Sequence, residues 1–167
     1  MDFTTILFAD DGDIPNNRFP LIVYSGVFDS AAADPASAFE ALFRRNRWGN
    51  GWRNGIYSFH HYHSTAHEVL GIAAGQATVR MGGETGGRTL AVRAGDALLI
   101  PAGVGHKRLS SDARLLVIGA YPRGQSPDLI REGAPDGPAI RTRIAVVPFP
   151  ETDPVTGAAG PMWEAWR

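Results

Sequence analysis

The 167-residue chain carries five histidines, at 60, 61, 63, 67 and 106, four of them packed between positions 60 and 67 and followed by Glu68. Imidazole is the side chain best suited both to hold a divalent metal and to move a proton near neutral pH. On a β-strand, residues two apart share a face, so His61 and His63 present adjacent imidazoles while His60 and Tyr62 face away. A turn over Ser64 to Ala66 returns Glu68 from the next strand, and His106, beyond the Pro101-Ala102-Gly103 turn, is placed to close the set from another strand pair. Three imidazoles and one carboxylate leave one or two positions open on a six-coordinate divalent ion, where water or a substrate oxygen binds. A shift of register exchanges His60 or His67 into the set. Parity sets His60 on the outer face, packed or hydrogen-bonded, whereas His67, in the turn, is a candidate second base or alternative ligand. Tyr57 and Phe59 share parity with His61 and His63 and are expected to line the pocket or to fill the barrel. Tyr57 stands beside His67 as a candidate catalytic residue.

Composition narrows the remaining chemistry. With no cysteine in the chain, thiolate nucleophiles, disulfide frameworks, zinc fingers and iron–sulfur clusters are excluded. Sixteen Lys and Arg face seventeen Asp and Glu, a net charge near −1 that argues against nucleic-acid or anionic-membrane partners. Arg44, Arg45 and Arg47 form the one dense basic run and read as a solvated or subunit-contacting helix face. A serine hydrolase lacks its Gly-x-Ser-x-Gly elbow, and Gly82-Gly83-Glu84-Thr85-Gly86-Gly87 lacks the Gly-Lys-Ser/Thr of a phosphate loop, which leaves it a hairpin turn. The chain start has no signal-peptide pattern, and no apolar run reaches the ~18 residues of a membrane span. A cytoplasmic location and a small-molecule partner are the expectation.

The elements that must position these residues are short, since twenty glycines and twelve prolines interrupt the chain. One helix is expected from Asp34 to Gly49: Asp34 caps it, Pro35 takes the first turn, Gly49 stops it, and Phe39, Leu42, Phe43 and Trp48 form its apolar stripe. Strands are expected at Thr4 to Ala9 and Leu21 to Phe28. Seven more follow at even spacing: Gly55 to Tyr62, Glu68 to Ala73, Gln76 to Met81, Arg88 to Arg93, Asp96 to Ile100, His106 to Ser110 and Arg114 to Tyr121. Regular strands with glycine turns point to a sandwich, jelly roll or barrel. From Pro122 onward the chain is loop-like, with an edge strand expected at Ile144 to Phe149. The apolar Met162 to Trp166 is expected to dock on the core or on a second subunit.

These motifs resemble the cupin superfamily, the RmlC-like jelly rolls. Motif 1 of that family is Gly, five residues, His-x-His, three or four residues, Glu, six residues, Gly; Gly55, His61, His63, Glu68 and Gly75 match it. Motif 2 is Gly, five residues, Pro-x-Gly, two residues, His, three residues, Asn; Gly95, Pro101, Gly103 and His106 match, with Ser110 in place of the Asn. The segments 59–64, 120–125 and 147–155 resemble the YjlB-like cupins, which extends the likeness over most of the chain. The resemblance implies an all-β, double-stranded β-helix barrel, usually dimeric. One N-terminal helix and an extended C-terminal tail accompany the barrel here. A single domain would then span 1–167, with N-terminal strands and helix over 1–54, a barrel core over about 55–121 and a wrapping segment over 122–167. A divalent metal (Mn, Fe, Ni or Zn) would be held by His61, His63, Glu68 and His106, and Ser110 falls at a position that is not a ligand in the motif.

A metal-dependent enzyme on a small molecule, of dioxygenase, isomerase or decarboxylase type, is the leading expectation, since this fold hosts all three chemistries. Two alternatives are a non-catalytic binding or sensing cupin and a metal-free, epimerase-like cupin that uses a pocket histidine as base. The intact Glu68 and third histidine weigh against the latter.

Overall fold

The computed structural model describes residues 1–29 and 31–167. Among them are eleven strands: β1 (Asp2–Ile6), β2 (Leu21–Ser25), β3 (Trp48–Asn54), β4 (His61–Tyr62), β5 (Glu68–Ala74), β6 (Gln76–Met81), β7 (Arg88–Arg93), β8 (Ala97–Ile100), β9 (His106–Ser111), β10 (Leu116–Pro122) and β11 (Ile130–Arg131). Three helices accompany them: α1 (Pro35–Arg45), α2 (Gly137–Ala145) and α3 (Pro161–Ala165). All pairings are antiparallel, in a six-stranded sheet ordered β1-β2-β8-β5-β10-β3 and a five-stranded sheet ordered β11-β4-β9-β6-β7. The two sheets make the expected jelly roll. No described helix is long and apolar enough to cross a membrane.

Burial explains the difference between the sheets. In the six-stranded sheet β5 and β8 are buried on both faces, so their sequences run apolar without alternation. Leu70, Ile72, Leu98, Ile100 and Val117 point into the barrel, where they meet Val79 and Met81 of the opposite sheet. Val69, Ala73, Leu99 and Ile118 point outward, under α1 and the C-terminal segment. β6, with one covered face, alternates.

Helix α1 starts as its sequence requires: the Asp34 carboxylate accepts from the Ser37 backbone N–H at 3.1 Å, and Pro35 occupies the first turn. Phe39, Leu42 and Phe43 bury its apolar face. A Cβ on Gly71 would lie 2.5 Å from the Phe39 ring, so this glycine in β5 lets the helix lie close on the sheet. The helix stops earlier than the sequence suggests, at Asn46. Arg47 takes a left-handed φ of 62° and turns the chain directly into β3. Trp48 therefore belongs to the strand, where it is buried with its indole N–H donating to the Thr152 carbonyl at 2.9 Å. Arg44, Arg45 and Arg47 are exposed.

Two further expectations are corrected. The strand placed at Gly55 to Tyr62 is reduced to His61–Tyr62, because β3 takes the edge beside β10 and residues 55–60 cross between sheets as irregular chain. The edge strand at Ile144 to Phe149 is absent: Ile144 lies in the last turn of α2, where Ile140 and Ile144, four apart, bury one helical face beside Ile14 and Tyr62. The C-terminal segment is thus a wrap with two short helices. It docks as expected, with Met162 and Trp166 in the outer core beside Phe19 and Tyr24. Buried Asp153 fastens it, accepting from the Tyr24 hydroxyl at 2.6 Å and from the Met162 backbone N–H at 3.0 Å.

Candidate metal centre

His61 and His106 lie directly opposite each other in the β4–β9 pairing, with ring centroids 4.2 Å apart. His63 leaves β4 on the same side, its ring 5.8 Å from His61 and 5.9 Å from His106. One nitrogen from each of the three falls within 4.8 Å of the others, and all three residues are buried. Glu68 opens β5 with the inward parity of Leu70 and Ile72. Its Oε2 lies 3.3 Å from His63 Nε2 and 3.2 Å from His106 Nε2. The four residues singled out from sequence are therefore gathered at one end of the barrel.

The protons of this cluster are fixed from outside. His61 Nδ1 meets the Phe59 carbonyl at 3.1 Å, His106 Nδ1 the Val104 carbonyl at 3.0 Å, and His63 Nδ1 the Asp128 carbonyl. A carbonyl only accepts, so each Nδ1 must carry the hydrogen and each neutral ring turns a bare Nε2 lone pair inward. Glu68 Oε2 is buried without a hydrogen-bond partner. Lone pairs facing a carboxylate in this way repel unless a proton or a metal cation sits among them.

The titration behaviour fits this picture. Burial alone would raise the Glu68 pKa, but the neighbouring His63 and His106 imidazoles hold it well below the carboxylate range. Burial would lower that of His63, yet the facing Glu68 carboxylate outweighs it and lifts His63 to about 9. Burial, aided by the nearby His106, pushes His61 down to about 3. Without a metal, one proton between His63 and Glu68 takes the cation's place. The donor set, nitrogen and carboxylate with no sulfur, suits a divalent first-row ion.

Tyr121 supports the carboxylate. Its hydroxyl donates to Glu68 Oε1 at 3.1 Å and accepts from the Trp52 indole N–H at 2.8 Å. Burial, reinforced by Glu68, raises the phenol pKa and keeps it a donor. The cluster opens into a cavity of about 650 Å³ whose walls include Tyr57, Arg108 and Leu129. Tyr57 stands at the mouth, 53% exposed and edge-on to His61 at 5.1 Å. Phe59 does not line the cavity. It stacks on Tyr57 at 4.6 Å, with the Arg131 guanidinium over its ring at 3.8 Å, because this segment is irregular and strand parity does not govern it.

The other histidines lie elsewhere. His67, one residue before Glu68, takes the opposite face of the sheet, against Trp166 at 4.9 Å and Phe19 at 6.4 Å. Its Nδ1 accepts from the Ala102 N–H at 3.0 Å, the reverse of the tautomer in the cluster, and burial lowers its pKa to about 4. As a candidate base or ligand it is thus displaced by parity. His60 is fully buried, accepts from the Gly83 N–H at 3.1 Å through Nε2 and turns Nδ1 to Glu84 at 3.5 Å. Glu84 is also paired with Lys107. Ser110, in place of the motif Asn, is exposed on β9 away from the cluster. Sequence reasoning missed Tyr121, Trp52 and Arg108. Arg108 was legible by parity with His106, and Tyr121 lay inside the segment 120–125 already noted for its resemblance.

Residues 54–119 match the model of the cupin domain family. The chain is 41% identical over 165 residues to the uncharacterized protein YjlB of Bacillus subtilis, covering 97% of this chain and 95% of that one. Among solved structures, acireductone dioxygenase from Bacillus anthracis, with a cadmium ion in its active centre, aligns over 55% of this chain and 62% of its own at 16% identity and a TM-score of 0.41. Oxalate decarboxylase of Bacillus subtilis aligns over 71% of this chain at 16% identity and a TM-score of 0.39, and the chain spans only 29% of it. The 41% identity to YjlB over nearly the full length, joined to the cupin-domain match and the jelly roll, places this chain in the cupin superfamily, among its YjlB-like members.

Proposed function

We propose that this cupin is a metal-dependent enzyme acting on a small molecule, with a divalent ion held by His61, His63, Glu68 and His106. The observation that carries this is the buried, unpartnered Glu68 Oε2 facing Nε2 atoms whose rings are each fixed by a backbone carbonyl. Manganese, iron, nickel and zinc all suit these ligands. Such an ion, when bound, supplies Lewis-acid polarisation of a substrate oxygen or a redox centre.

The protein's own groups do the rest. The carbonyls of Phe59, Val104 and Asp128 orient the imidazoles, and Tyr121 holds one carboxylate oxygen so that the other faces the centre. Leu70 and Ile56 exclude water from the inner end, and Tyr57 places a hydroxyl at the mouth.

Elemental analysis of protein purified without chelators or nickel resin tests the reading. Near-stoichiometric metal is expected, lost in His63→Ala and Glu68→Ala with the β-rich circular dichroism retained. A fully folded protein that takes up none of the four ions would overturn it. Oxygen uptake and product analysis on small diols, keto acids and thiols then separates turnover from binding alone.

A further inference from the structure

Among the described residues, Arg108 is the one arginine or lysine lining this cavity. It lies two residues after His106 on β9, so its side chain shares the inward face about 7 Å further along the strand. The guanidinium is held at two points, Nε donating to the Ile56 carbonyl and Nη1 to the Ser111 hydroxyl, both at 3.1 Å. A guanidinium carries five N–H groups, and these contacts use two.

No ion pair to Arg108 is present among the described residues. The two aspartates on the same wall are engaged elsewhere. Asp112 accepts from the Arg114 backbone N–H at 3.0 Å and pairs with its guanidinium at 3.4 Å. Asp128 accepts from the Ser64 N–H at 2.6 Å and from its hydroxyl.

The remaining walls are mixed: Trp52, Ile56, Leu70, Leu115 and Leu129 supply apolar surface beside polar Asn54, Ser111 and Tyr121. A partly buried arginine with free N–H groups, facing a cavity and without an internal counter-charge, suits an anion from outside. A lone guanidinium fork, unaccompanied by lysine, matches the two oxygens of a carboxylate.

We infer that the ligand of this cavity is a small organic acid, its carboxylate held by Arg108 and a second oxygen turned towards the three imidazoles. The inference deepens the metal-enzyme proposal and rests on it for the second oxygen. The side chains of Trp52, Leu115 and Leu129 offer apolar contact to an acid with a hydrocarbon portion, and a cavity of about 650 Å³ accommodates one.

The test is calorimetric titration of the manganese-loaded protein with 4-methyl-2-oxopentanoate and with its methyl ester. The acid is expected to bind at least tenfold more tightly than the ester. Arg108→Gln should weaken the acid about 10- to 100-fold, the effect of losing a charge-assisted pair, leave the ester unchanged, and retain the same metal content. Arg108→Lys should recover part of the loss. Equal binding of acid and ester, binding of neither, or an Arg108→Gln variant that binds the acid like the parent would overturn the inference; the acid–ester comparison needs no variant to fold. A protein that takes up no metal yet still prefers the acid through Arg108 would sink the metal reading and support this one.

Discussion

Replacing Tyr121 by Phe isolates one atom. The ring stays buried and edge-on to His63 at 6.0 Å, while the hydroxyl that donates to Glu68 Oε1 and accepts from Trp52 is lost. A hydrogen bond to a charged group contributes about 1.5–3 kcal/mol, which sets the ceiling on how far Glu68 can lose its orientation. Outer-shell partners of metal ligands cost about 10- to 100-fold in affinity when removed, within that ceiling. Trp52, half-buried, also loses its acceptor, which costs about 1 kcal/mol of fold stability and lowers the melting temperature of a chain this size by about 2–4 °C. The assay is competition for manganese or zinc against a fluorescent chelator, with thermal melts of the metal-free protein alongside. Weaker metal binding by at least tenfold with a small drop in melting is the expected pair of results. Unchanged affinity beside a lowered melting temperature would show that the hydroxyl serves packing only, and would refute its role in aiming the carboxylate.

Two other outcomes follow from the same structure. Trp166→Ala removes a side chain that is 2% exposed, stacked on Phe19 at 5.1 Å and bonded through its indole N–H to the Pro20 carbonyl at 2.8 Å; a loss of about 3–5 kcal/mol is expected. Melting should fall by about 6–20 °C, and a fall under 2 °C would show that α3 is not fastened to the core. His67, with its pKa lowered to about 4 in the fold, binds a proton more readily when unfolded, so its share of stability is complete above pH 6.5 and is lost as pH falls towards 4. That share is about 3 kcal/mol, and His67→Gln should flatten this part of the denaturation profile relative to the parent. Parallel profiles for the two proteins would count against it.

The histidine–glutamate cluster was legible in the sequence because its two motifs sit at fixed spacings and because parity is simple where strands are real. Glu68 and Leu70 share a face, and so do His106 and Arg108. Where the strand failed, parity failed with it: Phe59 was expected in the cavity and stacks behind Tyr57 instead. The boundary at Trp48 was hidden for a different reason. Glycine at 49 looks like a helix stop, whereas the turn is made by Arg47 in a left-handed conformation that residue type does not announce. α2 was missed because Ile144, Val146 and Val147 read as β-formers, and only burial of Ile140 with Ile144 shows the helical spacing. The clamp on His63 had no signal at all, since the Asp128 carbonyl is backbone and any residue supplies one.

The wrap has a consequence for how the protein comes into being. Trp166 meets the Pro20 carbonyl across 146 positions, and Asp153 meets Tyr24 across 129. Such distant pairings must close long loops before their contacts reward it, and topologies rich in them fold slowly. During synthesis the first strands and α1 leave the ribosome long before the residues that cover them, so their outer apolar face waits exposed until the chain has been made as far as Trp166. The Asp128 carbonyl that sets the His63 tautomer also emerges late. Completion of the candidate metal pocket therefore waits on a segment made late in the chain, and the interval before it is when the nascent protein is most open to aggregation.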